Sequence, residues 1–350
     1  MDEKRREWLD QYFQYFLSPD TNYEKKEDAT YLKQGRLAEL GYLYRYRNIK
    51  QTQEQIIDPL REGKLLQIRA SHPSDFNDPF DTWMPLYYFN HPNIRLQFLR
   101  GLCQAYCENT TQNEEITITC WNEYENSLEI DNLEIWKNRV CEILFKYWPQ
   151  ENPDENLKIE VAKKIKNYDG LAQQLRHNEL GISCFSETQK SILMWSHYAE
   201  QHKGICLAYD TGMFLTKSHQ IDILHWLNPV LYKNDISDSI CALTRKADGE
   251  KLTKDEEDIL NLRLLLTKAE DWSYEMEWRL TFWFPSLMWG TTPENGDNYQ
   301  YFPIAPCCIY LGVKIDETLK SEIYELAGKA GIEVKEMRMA DNKFELIVRE

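Results

Sequence analysis

Strand-like patterning occurs in two blocks of this chain, separated by a long stretch in which helical periodicity dominates. Before the break, Leu43-Tyr44-Arg45-Tyr46-Arg47 alternates bulky and basic residues, and Leu65 to Arg69 reads as a second strand. Between about residues 92 and 178, apolar residues recur at helical spacing near 93–108, 130–147 and 155–177, with Pro149 and Pro153 as breaks. Strand patterns return at Gly181–Ser186, Gly204–Tyr209, Val230–Tyr232, Glu277–Trp283 and Cys308–Val313. Helices are expected over 191–200, about 252–269 and 316–330, and a closing hairpin over 332–338 and 343–349. Mixed strands and helical blocks of this kind predict an α+β fold, with a mixed or antiparallel sheet core and a large helical insertion.

The N-terminal part is simpler. Trp8, Tyr12, Tyr15 and Phe16 fall at helical spacing within 3–17, and Ser18-Pro19-Asp20 ends that helix. The polar stretch to Gly35 reads as a loop or linker. A helix over 51–62 carries Ile56, Ile57 and Leu60 and stops at Gly63. The resulting division is 1–35 for the N-terminal helix and linker, 36–91 for the first part of the core, 92–178 for the insertion and 179–350 for the second part.

Composition narrows the function classes. The 350 residues carry a formal charge of −16, which argues against a non-specific grip on nucleic acid. Hydrophobic content of 42% and aromatic content of 13% are those of a chain that folds. No apolar run is long enough to span a membrane, and Met1 to Arg6 leads into an amphipathic segment without the apolar core of a signal peptide. The nine cysteines are scattered and no Cys-x-x-Cys occurs, so neither a disulfide framework nor a zinc site is expected, and the reducing cytoplasm is the expected compartment. A P-loop, a strand-linked Gly-x-Gly-x-x-Gly and a Gly-x-Ser-x-Gly elbow are all missing.

Four clusters are richer in polar and aromatic residues than a core requires. On the strand 43–47, Arg45 and Arg47 share one face, and a pair of guanidiniums suits a diphosphate. Phe76-Asn77-Asp78-Pro79-Phe80-Asp81 has turn chemistry. The run from Ile182 to Tyr209 holds Ser183, Ser186, Trp195, His197, Tyr198 and His202; the two histidines lack a third ligand at suitable spacing, so no metal is expected. In Trp272–Leu280, Glu275 and Glu277 stand two apart at the start of a strand, which puts two carboxylates on one face.

In this order, "LYRYR", "SDFNDPFD", "ISCFSE", "MWSHYAEQHKGICLAYD", "KAEDWSYEMEWRL" and "IYLG" resemble the bacterial family known as domain of unknown function 2971, over about residues 42–313. More loosely, an early Arg, a central Ser and a later Glu-x-Glu resemble ADP-ribosyltransferases of the Arg-Ser-Glu type. That second resemblance implies an ADP-ribosyltransferase-like sheet and NAD as the substrate. It implies that Arg45 or Arg47 binds NAD phosphate or ribose, and that Ser183 or Ser186 supports the nicotinamide ribose. Glu277 would stabilise the oxocarbenium-like transition state, Glu275 would orient the acceptor, and Trp195 or Tyr198 would stack on a base. It further implies a bacterial toxin or phage-defence effector, acting on a protein or nucleic-acid acceptor or on water, and answering to an antitoxin or regulator. Two other readings stand beside it: a non-catalytic ligand- or protein-binding module, and a metal-dependent nuclease built on Asp78, Asp81 and Glu277.

Overall fold

The computed structural model describes residues 3–17, 23–78, 81, 95, 122–130, 132–147, 180–215, 223–234, 253, 259, 262–263, 265–283 and 301–349. The chain divides into two compact units, one of residues 1–82, 178–234 and 265–350, the other of 83–177 and 235–264. The first unit is an α+β assembly with a mostly antiparallel sheet.

It opens with helices α1 (Glu3–Phe16) and α2 (Tyr23–Leu40). The strands are β1 (Tyr42–Arg47), β2 (Ile68–Arg69), β3 (Leu180–Ser186), β4 (Ile205–Asp210), β5 (Leu227–Pro229), β6 (Leu231–Tyr232), β7 (Thr267–Lys268), β8 (Glu277–Trp283), β9 (Tyr301–Phe302), β10 (Cys308–Leu311), β11 (Glu333–Met339) and β12 (Leu346–Val348). Eight form one sheet in the order β12-β11-β10-β4-β1-β3-β8-β5, in which only β10 and β11 run parallel. Short pairs β2-β9 and β6-β7 complete the unit. The helix α3 (Ile192–Tyr198) starts at Ser191, whose side chain caps the Met194 amide, and α4 (Glu317–Ala330) starts at Asp316 and ends at Gly331.

Alternation along the strands gives the sheet two buried faces. Leu43, Phe185, Leu207, Tyr209, Trp278, Leu280, Ile309 and Leu311 fill one core. Tyr44, Tyr46, Cys206, Ala208, Cys308 and Tyr310 fill the other, together with Met194 and Trp195 of α3. The turn from α3 into β4 is unusual: Glu200, Gln201 and His202 all have positive φ. Gly204 then packs where a Cβ would lie 2.0 Å from the Arg47 carbonyl oxygen, so no side chain fits there.

Three local expectations need correcting. The polar stretch before Gly35, read as a linker, is α2. Its inward residues Ala29, Lys33 and Leu37 have helical spacing, but the middle one is a lysine whose buried Nζ donates to the Leu224 carbonyl and to Asn228. The helix expected over 51–62 is broken into Ile49–Thr52, a π-helical turn at Gln53–Ile57 and Asp58–Arg61. Lys268, placed by sequence in a charged helix, is on strand β7, which pairs with β6.

In the second unit a helix spans Leu133–Tyr147, within the helical block expected there. It buries Trp136, Val140 and Ile143, and the Arg95 guanidinium lies over the Trp136 ring at 5.0 Å. Apart from Arg95, the helical segments read near 93–108 and 155–177 lie outside the described residues. Among the described residues no helix is long and apolar enough to cross a membrane.

Candidate active site

Three consecutive pieces of the first unit bring a set of charges together. Strand β7 ends in Lys268, a 3-10 turn over Glu270–Glu275 follows, and β8 begins at Glu277. Met276, between the two glutamates, is in the left-handed region at φ 44°. A non-glycine residue there costs about 1–2 kcal/mol, and the neighbours hold it in place. The Ser186 hydroxyl donates to the Glu275 carbonyl at 2.6 Å, and the Glu277 amide donates to the Tyr232 hydroxyl oxygen at 2.8 Å. Glu275 therefore ends the turn rather than opening the strand. The kink at Met276 is what lets both carboxylates reach the same lysine.

Lys268 Nζ lies 2.6 Å from Glu275, 3.1 Å from Glu277 and 3.2 Å from Asp81. Arg279, fully buried, grips Glu277 with Nε at 2.8 Å and Nη2 at 3.2 Å. The same Nη2 donates to Asp81 at 2.8 Å, while Nη1 donates to the Leu265 carbonyl at 2.7 Å. The Lys268 ammonium also sits 4.9 Å from the centre of the Trp272 ring. Glu275 differs from its partner in one respect. Among the described residues its second oxygen, Oε1, accepts only from the Tyr198 hydroxyl, at 2.5 Å, and Tyr198 is in turn 3.4 Å from the exposed Asn77. Tyr198, Tyr274 and Trp272 are half-buried and stand around this end of the cluster, with His197 beside Tyr274.

Among the described residues, three carboxylates meet the two cations Lys268 and Arg279. Burial falls hardest on the acid with the weakest cationic support. Burial and the neighbouring Glu277 raise the Glu275 pKa to about 7. For Glu277, burial is outweighed by Arg279 and Lys268, which hold its carboxyl well below the usual range. Burial likewise opposes the charge on Lys268, but Glu277, Asp81 and Glu275 together keep it firmly protonated. Pairs of acids driven apart in this way mark acid–base assignments.

Of the residues singled out from sequence, Glu275, Glu277, Ser186 and Tyr198 come together here. Trp195 is on the same face, but its ring is fully buried, set edge-on against Tyr46, with its indole N–H donating to the Gln189 carbonyl. Ser186 pairs with both Tyr44 and Glu277 across the sheet, so alternation turns Arg45, Arg47 and Ser183 to the opposite face. Neither guanidinium pairs with Glu275 or Glu277. Asp81 belongs to the cluster, but it and Glu277 close on an ammonium and a guanidinium. Among the described residues no group of three or more metal-donor side chains could hold an ion. Sequence reading missed Lys268 and Arg279. Arg279 carries a signal, since it is two residues from Glu277 on one strand; Lys268 has none.

Residues 194–280, from α3 through β8, match the model of a family described as Protein of unknown function (DUF2971), which places that segment in the family suggested by its motifs. No curated protein and no solved structure matches the chain.

Proposed function

We propose, for a chain whose 194–280 segment carries the DUF2971 signature, that this protein breaks the N-glycosidic bond of NAD, as an ADP-ribosyltransferase or NAD glycohydrolase. The observation that carries the reading is the division of labour between two carboxyls around Lys268. Cleavage of that bond builds positive charge on the ribose, and a carboxylate held beside it lowers the barrier. Glu277 has both oxygens engaged by Arg279 and Lys268 and is the fixed member. Glu275 needs only to exchange the Tyr198 hydroxyl for a ribose hydroxyl, so it is the reacting carboxyl in this reading. That reverses the roles the transferase resemblance assigns to the two glutamates. Tyr198, Tyr274 and Trp272 offer flat apolar surface for a nicotinamide or adenine ring.

The test is nicotinamide release from NAD by wild type, Glu275→Gln and Glu277→Gln. Glu275→Gln should lose at least about a hundredfold in rate while remaining folded, a typical loss for one electrostatic contact to the transition state. Wild-type turnover in that variant would sink the assignment. The alternative, a non-catalytic binding module, is favoured by the near-complete compensation of the five charges within the cluster, as expected of a structural network. It predicts saturable ligand binding with no nicotinamide released.

A further inference from the structure

One edge of the eight-stranded sheet is covered and the other is open. β5, at one end, lies against the N-terminal helices, where Tyr12 of α1 and Lys33 of α2 both donate to the Asn228 side chain. β12, at the other end, pairs with β11 on one side; among the described residues nothing is hydrogen-bonded to its backbone on the other. Ile347 stands opposite Arg338, the Arg349 amide donates to the Glu336 carbonyl at 2.7 Å, and the Ala340 amide donates to the Glu345 carbonyl at 2.9 Å. Glu345, Ile347 and Arg349 therefore turn their backbone groups towards β11, and Leu346 and Val348 turn theirs outward. The outward amides and carbonyls are a template for another strand.

The sequence of β12 is its own complement. In an antiparallel pairing of two copies with the two-fold axis at Ile347, Leu346 of each copy opposes Val348 of the other, and all the outward groups are bonded. The same register sets Glu345 of each copy opposite Arg349 of the other, an attractive cross-strand pair made twice. Sliding one copy by two residues, so that the axis falls at Leu346, sets Arg349 against Lys343 instead, two like charges. Phe344, fully exposed just before β12, is brought beside the end of the second copy's strand. Glu345 already lies 3.8 Å from Lys190, and Arg349 3.0 Å from Glu336; both are surface pairs, and sharing them costs little. Residues 333–349 carry four acidic and four basic side chains, so this edge is neutral in a chain of formal charge −16, and two copies can approach here without mutual repulsion.

We propose that the protein forms a two-fold symmetric dimer through β12, joining the two eight-stranded sheets into one. A second copy fits this edge better than an unrelated strand, because the register that satisfies its backbone also opposes its own charges. β5 is covered, so the assembly stops at two. The inference concerns the sheet edge and does not depend on what the cluster around Lys268 does.

The experiment is sedimentation equilibrium of the full chain, as wild type, Glu345→Arg, Arg349→Glu, the variant carrying both changes, and Ile347→Cys. Wild type should be dimeric at high-micromolar concentration. Each single change sets like charges against one another twice per dimer and should weaken association about tenfold or more; the double change opposes the charges again and should restore most of it. Thermal unfolding checks that each variant folds. Under mild oxidation Ile347→Cys should cross-link two copies where wild type does not, because that non-hydrogen-bonded pair brings its Cα atoms to about 4.5 Å, within disulfide reach. Wild type that stays monomeric over the whole range overturns the proposal, whatever the variants do. A dimer that both single variants form as readily as wild type overturns it too, as does one that the double change does not restore or that Ile347→Cys does not cross-link, since association then uses another surface.

Discussion

Glu275 and Glu277 share the ammonium of Lys268, at 2.6 and 3.1 Å, yet one is pushed up to about 7 and the other held far below the ordinary carboxylate range. The difference is Arg279, which binds Glu277 with two nitrogens and does not reach Glu275. A single strained residue, Met276, makes the shared lysine geometrically available to both.

Glu275 gives stability a distinct pH dependence. Its folded pKa lies above its unfolded value, so between 4.5 and about 7 the folded state binds more protons than the unfolded chain does. Stability from this group is therefore full below 4.5 and declines as pH rises towards 7. Glu277 acts oppositely: its contribution is present above the unfolded value of 4.5 and is lost only in strong acid. Urea unfolding of Glu275→Gln against pH should show a flatter profile over 4.5–7 than wild type shows; an unchanged slope would contradict the assignment.

Lys268→Met should be among the most damaging substitutions in the first unit. It takes from Asp81, Glu275 and Glu277 the ammonium they share, and breaking a buried ion pair costs about 3–5 kcal/mol. Chemical denaturation measures this directly, and a loss under about 1 kcal/mol would mean the lysine is not needed to balance the carboxylates.

Glu187→Gln should loosen the N-terminal helices. The Glu187 carboxylate accepts from Arg5 of α1 at 3.0 Å, from Arg36 of α2 at 2.5 Å and from the Trp278 indole at 2.9 Å. Arg5 is 1% exposed and would lose the charge of the carboxylate it is buried against. Limited proteolysis should then cut within the first 40 residues well before the rest of the chain is attacked.

Two glycine-to-alanine changes should have opposite signs. Gly204→Ala puts a Cβ 2.0 Å from the Arg47 carbonyl oxygen, and backbone must move to relieve it. A loss of about 3 kcal/mol or more is expected, at the upper end for overpacking. Gly35 is inside α2 with nothing within 4 Å of the added methyl, so Gly35→Ala should stabilise by about 0.5–1 kcal/mol. Thermal unfolding of the two variants reads both.

The elements that sequence pattern located well are those whose burial is set by short-range periodicity. Strand β8 begins and ends at Glu277 and Trp283 as read, because Trp278 and Leu280 alternate with the polar face. Helix α4 has a capping Asp316 and a closing Gly331. Helix α2 escaped because its buried stripe includes Lys33, a lysine made tolerable by acceptors at Leu224 and Asn228, about 190 residues on.

The candidate site divides along the same line. Two carboxylates at Glu275 and Glu277, a serine at Ser186 and an arginine pair at Arg45 and Arg47 were determined by the amino-acid order, as were the strands that carry them. Which of them meet was decided by strand register: Tyr44 and Glu277 both face Ser186, which sends Arg45 and Arg47 to the other side of the sheet. The charge on Glu275 was decided later still, by its burial and by the placement of Glu277 and Lys268 against it once the turn had folded. Local periodicity is written in neighbouring residues. A pKa depends on desolvation and on charges within a few ångströms, and those are assembled only when the chain is folded.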